Sequence, residues 1–190
     1  MKSYNDLKAL WGENIIDLGG EVDAEMIEFV REAIPHFLAA GCPDITVIIT
    51  SGGGDCQFGL AIYDLLRNYP SRIVCQNYAF ADSIAAIILQ AGDWRLAAQH
   101  AKIMIHNPRH RSIDNWAEYE SEKIRLKNQK SLSRTRERII AILLERTGRT
   151  RRQIERTLRA AKEMTAEEAL RFGLIDGIIV PDKAAKNKTG

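Results

Sequence analysis

An α/β fold is predicted by three features of this sequence. Segments with strand chemistry alternate with segments that carry a helical apolar stripe, the order expected when helices cover a mostly parallel sheet. The most β-branched stretch, DITVIITS, has no charge after Asp44, which suits a central strand buried on both faces. Polar and glycine-rich motifs then fall where such strands end, the place where open α/β sheets hold ligands.

Taken in order, residues 1–14 are expected as a short N-terminal arm. IIDLGGEVD reads as a strand with Asp23 as N-cap of the next element. AEMIEFVREAIPHFLAAG places Met26, Ile27, Val30, Ile34, Phe37 and Leu38 on one helical stripe, weakened or kinked at Pro35 and stopped at Gly41. DITVIITS runs into SGGGD, expected as a glycine turn, and CQFGLAIYDLLRNYP follows as a helix ended by Pro70. RIVCQNYA is another β-rich run, leading into ADSIAAIIL, where Asp82 and Ser83 open an apolar helix. WRLAAQ and KIMIHNP read as two short strands. A long helix begins near Asp114, with Trp116, Tyr119, Ile124, Leu126, Leu132, Ile139, Ile140, Leu143 and Leu144 on its apolar side and Gly148 at its end. Thr150 with Gln153, and Thr165 with Glu168, form capping-box patterns that predict two shorter helices. Gly173 closes the second, LIDGIIV is a final strand, and 181–190 is a loose polar tail. With no internal repeat and no low-complexity linker, a single domain over 1–190 is expected.

Composition narrows the function class. No apolar run approaches the roughly 20 residues of a membrane helix, and the start, MKSYNDLKALWGEN, lacks a secretory h-region. Cys42, Cys56 and Cys75 are too scattered for a disulfide framework or a zinc site. A cytoplasmic protein without metal or cofactor is the expectation. Lys and Arg crowd the segment from Lys123 to Lys162, but Glu137, Glu145 and Glu155 interleave with them and stacking aromatics are lacking there. That pattern suits a solvated helix face better than a nucleic-acid surface.

Three features supply the chemistry of nucleophilic acyl transfer. Taken alone, Asp82-Ser83 reads as a helix cap; the sharper reading makes Ser83 a nucleophile at a helix N-terminus. SGGGD offers backbone N–H groups as oxyanion donors, because glycine tolerates positive φ. His106 ends the hydrophobic strand of IMIHNP and is displayed at its edge, whereas His36, His100 and His110 lack such a setting. Serine attack on a carbonyl needs a base and oxyanion donors, and Ser83, His106 and the Gly52–Gly54 segment provide those types.

With those motifs in hand, the chain resembles the Clp protease proteolytic subunit family. IIDLGGEVD, DITVIITSGGGD, GLAIYDLL, ADSIAA, IMIHNP and TAEEALRFGLIDGII follow the family pattern in order, from about Ile15 to Ile179. The resemblance implies a crotonase-like fold, a repeated β-β-α core with a protruding helical handle at 114–147. It implies Ser83 as nucleophile, His106 as base, and the N–H groups of Gly53 and Ile84 as oxyanion hole. It also implies a serine endopeptidase acting on unfolded polypeptides or short peptides inside heptameric rings, with an ATPase unfoldase as possible partner.

The departures are specific. Gly52 stands where the family has proline, Asp82 where a small apolar residue precedes the serine, and Ala85 where the family has a glycine two residues after it. The segment ahead of the first strand is short, so the axial loops that engage an ATPase in the family are expected to be reduced. Alignment through TAEEA puts the family's triad aspartate at Ala161. Either the chain is a weak Ser-His dyad, or another acid substitutes, with Glu163 and Asp82 the nearest, or the chain is inactive. The alternatives are a non-catalytic ring subunit of the same fold and a crotonase-type acyl-CoA enzyme, which would need no serine nucleophile.

Overall fold

In the computed structural model, which describes residues 3–109 and 122–180, α1 (Tyr4–Leu7) and a 3-10 helix (Lys8–Glu13) precede β1 (Ile15–Val22) and α2 (Ala24–Ala39). Then come β2 (Ile45–Gly54), α3 (Cys56–Arg67), β3 (Ile73–Asp82), α4 (Ile84–Ile88) and β4 (Trp94–Ala98). The remainder is β5 (Lys102–Met104), α5 (Glu122–Thr147), α6 (Arg151–Ala160), β6 (Glu163–Thr165), α7 (Ala166–Phe172) and β7 (Gly177–Ile179). β1, β2, β3, β4 and β7 lie side by side in that order, each neighbouring pair parallel. A helix separates each of the first three strands from the next, as the alternation predicts.

The sheet forks at β3. Val74–Asn77 pair with β4, whereas Phe80–Asp82 pair with β5, which in turn runs antiparallel to β6. Asn77, fully buried at the fork, donates its Nδ2–H to Lys102 O at 2.9 Å and accepts from Ala79 N at 3.0 Å, so its amide is satisfied on both sides. β6 has three residues, too short for any periodicity to announce it.

Several local expectations change. β2 alternates buried Ile45, Val47, Ile49 and Ser51 with half-buried Thr46, Ile48 and Thr50, so only one face is sealed. Its SGGG end is not a turn. After an irregularity between Gly19 and Glu21 the strand continues, with Gly53 opposite Glu21 and Gly54 opposite Val22. α3 ends at Arg67, capped by Asn68, ahead of Pro70. α2 runs through Pro35, which lacks an N–H, to Ala39. Residues 4–13, read as an arm, are helical and dock on α2, where Tyr4 stacks on Phe29 at 4.8 Å and Trp11 lies 5.5 Å from the same ring. Both predicted capping boxes are present, at Thr150 and Thr165, and Asp23 caps α2.

α4 is apolar on every side because it is buried on every side: Ile84, Ala85, Ala86, Ile87 and Ile88 are all covered. α3 comes closest to it at Gly59, where a Cβ would stand 2.2 Å from Ile84 Cγ1. The long helix begins at Glu122 among the described residues; the expected start at Asp114, with Trp116 and Tyr119, lies outside them, as does the tail 181–190. Ile139, Ile140 and Leu143 in its C-terminal half are buried, whereas Lys130, Ser131 and Arg134 are exposed.

Candidate active site

β3 passes into α4 without a loop, and Ser83 is the hinge. Its backbone sits at φ 58°, ψ −123°, a region that costs a non-glycine residue about 1–3 kcal/mol. The conformation is held by Ser83 N–H donating to Met104 O at 2.7 Å. Ser83 occupies the N-cap position, yet its hydroxyl makes no capping bond, so the cap reading holds for place and not for bonding. A sharp, strained strand-to-helix turn projects the hydroxyl rather than using it. Ile84, the first residue of α4, carries an N–H with no acceptor within the helix.

Gly53 packs directly against this turn. A Cβ there would lie 2.7 Å from Ser83 Cβ and 2.9 Å from Asp82 O, and its φ of 94° suits glycine alone. Gly53 N–H donates to Ser51 Oγ at 3.1 Å, so the expected oxyanion donor is turned to an internal acceptor. Ser51, buried at the end of β2, carried no signal in the sequence beyond its place in SGGGD.

The β5–β6 ladder arranges the ionisable groups. Asp82 is paired with Met104, and Met104 with Glu163. Carrying the antiparallel register two residues beyond Met104 and Glu163 sets His106 against Ala161, on the face shared by Asp82, Met104 and Glu163. His106 therefore lies two residues past the strand it was expected to end. The docking of its loop on α6 is explicit, since Asn107 N–H donates to Leu158 O at 3.1 Å. Ala161 caps α6 in the left-handed region, φ 48°, ψ 38°, and brings no carboxylate.

Neither nearby acid hydrogen-bonds the imidazole. Glu163 Oε2 takes Lys102 Nζ at 2.8 Å. Asp82 Oδ1 is buried without a hydrogen-bond partner among the described residues. Burial, and then the charge of Glu163, push the Asp82 carboxyl above its ordinary value, against the pull of the Met104 N–H, Lys102 and His106. His106 Nδ1 lies 2.7 Å from Asn107 O, and no hydrogen bond among the described residues joins the ring to Ser83 Oγ. Catalytic hydrogen bonds are often open in free enzymes and close on substrate.

An open cleft lies along β1 and β2, lined by Asp17, Glu21, Ile48, Thr50, Gly53 and Phe80 among others; it reaches the turn through Gly53, and neither Ser83 nor His106 lines it. His36 packs on Trp11 at 5.2 Å, His100 is exposed between β4 and β5, and His110 lies outside the described residues. The cysteines are free. Among the described residues no helix is long and apolar enough to cross a membrane, and no three His, Cys, Asp or Glu gather where they could hold a metal ion. The family model described as Clp protease matches residues 1–182.

Proposed function

The chain belongs to the Clp protease family, and from that premise we propose that it is a serine peptidase with Ser83 as nucleophile and His106 as base. The observation that carries this reading is the backbone of Ser83: a strained hinge between β3 and α4 that leaves the hydroxyl uncapped and pressed against Gly53. In the proposed step His106 Nε2 takes the hydroxyl proton as Oγ bonds the scissile carbonyl carbon. The carbonyl electrons move to oxygen, which accepts from Ile84 N–H and from Gly53 N–H once the latter leaves Ser51 Oγ. The tetrahedral intermediate collapses, the amine departs with the proton from His106, and water hydrolyses the acyl-enzyme by the same path.

The open cleft along β2 suits an extended polypeptide, which fits unfolded chains or short peptides as substrates. Assembly into heptameric rings, delivery by an ATPase unfoldase and a cytoplasmic location are the corresponding proposals for partners and place. The single-domain reading of 1–190, with a handle at 114–147, belongs with them. Ala161 favours a second reading, a ring subunit that keeps the fold for containment and has lost its chemistry.

A fluorophosphonate probe separates the two. The expected result is an adduct on Ser83, located by mass spectrometry, that is absent in Ser83→Ala. A folded protein left unlabelled after prolonged exposure, or labelled elsewhere, would overturn the nucleophile assignment and leave the containment reading.

A further inference from the structure

A backbone carbonyl has no proton to give. The 2.7 Å approach of His106 Nδ1 to Asn107 O is therefore a hydrogen bond only when Nδ1 carries the hydrogen, which in the neutral ring leaves Nε2 as the bare acceptor. That is the tautomer a serine-activating histidine needs, and in a Ser-His-Asp triad the carboxylate secures it. We propose that in this chain the Asn107 carbonyl does the orienting work of the carboxylate missing at Ala161, and that Arg136 on α5 is the positioning residue that holds Asn107 in place.

Asn107 is restrained on every side that matters. Its N–H donates to Leu158 O at 3.1 Å, fixing the loop to α6. Its Oδ1 accepts from Arg136 Nε at 3.0 Å, fixing the side chain to α5. Pro108 follows, and a residue before proline is pushed toward extended backbone, which narrows the directions the Asn107 carbonyl can face. Arg136 is itself braced, its guanidinium 3.3 Å from Glu155 Oε1 and 3.3 Å from Glu137 Oε1. Half-buried Arg136 thus spans from an acidic pair to the loop next to the imidazole. A carbonyl fixes the ring as a carboxylate would, but brings no full charge to stabilise an imidazolium. The arrangement restores orientation and leaves out the charge.

This inference rests on the reading of His106 as base, but its test does not. Long-range nitrogen–proton spectra of the histidine-labelled full chain, in alkaline buffer where rings are neutral, should show His106 protonated at Nδ1. They require no activity and no variant. Asn107→Ala and Arg136→Ala should each mix the tautomers and slow both fluorophosphonate labelling and kcat about tenfold, a modest fraction of the roughly ten-thousandfold effect of the wrong tautomer in a Ser-His-Asp triad. KM for a short peptide should stay unchanged. Asn107→Asp, which keeps an Oδ acceptor for Arg136, should retain the signature. The double variant should be no worse than the poorer single one, because both break the same bond. A wild-type ring protonated at Nε2 overturns the proposal, as does an Asn107→Ala or Arg136→Ala protein that keeps the wild-type tautomer and rate. If Ser83 never labels while the ring is protonated at Nδ1, the clamp stands and the peptidase reading falls.

Discussion

Ala161 shows how one side chain separates geometry from charge. It lies in the left-handed region at φ 48°, a conformation aspartate visits more readily than alanine, so Ala161→Asp should fold without backbone penalty. Carried two residues past its last pair, the register of β5 against β6 would set the new carboxylate opposite His106. A carboxylate there supplies what the Asn107 carbonyl lacks, a full negative charge beside the developing imidazolium. Because orientation is already provided, Ala161→Asp should raise kcat by about ten- to a hundredfold, short of the roughly four decades that accompany loss of the right tautomer. Steady-state peptidase assays check the size, and the gain should vanish in Ser83→Ala. An Ala161→Asp protein that is folded and as inert as its parent would favour containment. Glu163, weighed in the sequence as a substitute acid, is bonded to Lys102, and among the described residues neither it nor Asp82 makes a hydrogen bond to the ring.

Among the elements, the join between β4, α5, α7 and β7 depends on one arginine. Arg95 on β4 pairs with Asp176 through Nε at 2.9 Å and through a second nitrogen at 2.5 Å. It also donates to Gln90 Oε1, Arg146 O and Gly173 O, so the ends of α5 and α7 are satisfied by the same side chain. Burial works to raise the Asp176 carboxyl, yet the bonds from Arg95, with the charges of Arg95 and Arg146, outweigh it and hold it below its ordinary value. A depressed carboxyl contributes stability above its unfolded pKa and loses it as pH falls through the lower folded value. Arg95→Met removes the partner and strands Asp176 with several carbonyls. The expected loss is about 3 kcal/mol or more at neutral pH, by urea denaturation. The gap between Arg95→Met and wild type should narrow only as pH drops below the usual aspartate value of about 3.9. A gap that does not change with pH would assign the loss to packing alone.

For the whole molecule, the question is what covers the apolar surface. Tyr78 and Phe80 on β3 and Trp94 at the start of β4 are 50%, 41% and 53% exposed. Large aromatics left outside a single chain mark contact surfaces when they gather into patches. Of the described apolar residues of α5, Ile139, Ile140 and Leu143 are covered by this chain itself. Light scattering at micromolar concentration should give a mass many times the 21.4 kDa of the chain, as expected for a closed ring. A stable monomer would remove the ring proposal and leave the site chemistry to be judged alone.

By itself the sequence determined the alternation of strands and helices, the caps at Asp23, Thr150 and Thr165, and the motifs that single out Ser83 and His106. These are legible because each is encoded within a few neighbouring residues, by periodicity, side-chain capping or a glycine. The tertiary structure alone decided the rest. SGGG looked like a turn because glycine permits one, but pairing with Glu21 and Val22 draws it into β2 and lays Gly53 on Ser83. The register that, carried two residues further, would oppose Ala161 to His106 comes from β6, three residues paired across a long separation in the chain. Asn107 acts through its main-chain oxygen, an atom every residue owns, so no residue type could announce it. Arg136 reaches Asn107 across 29 positions of sequence. Non-local pairing chooses among partners that local chemistry leaves equivalent, which is why Ser83 and His106 stood out in the chain and the groups packed around them did not.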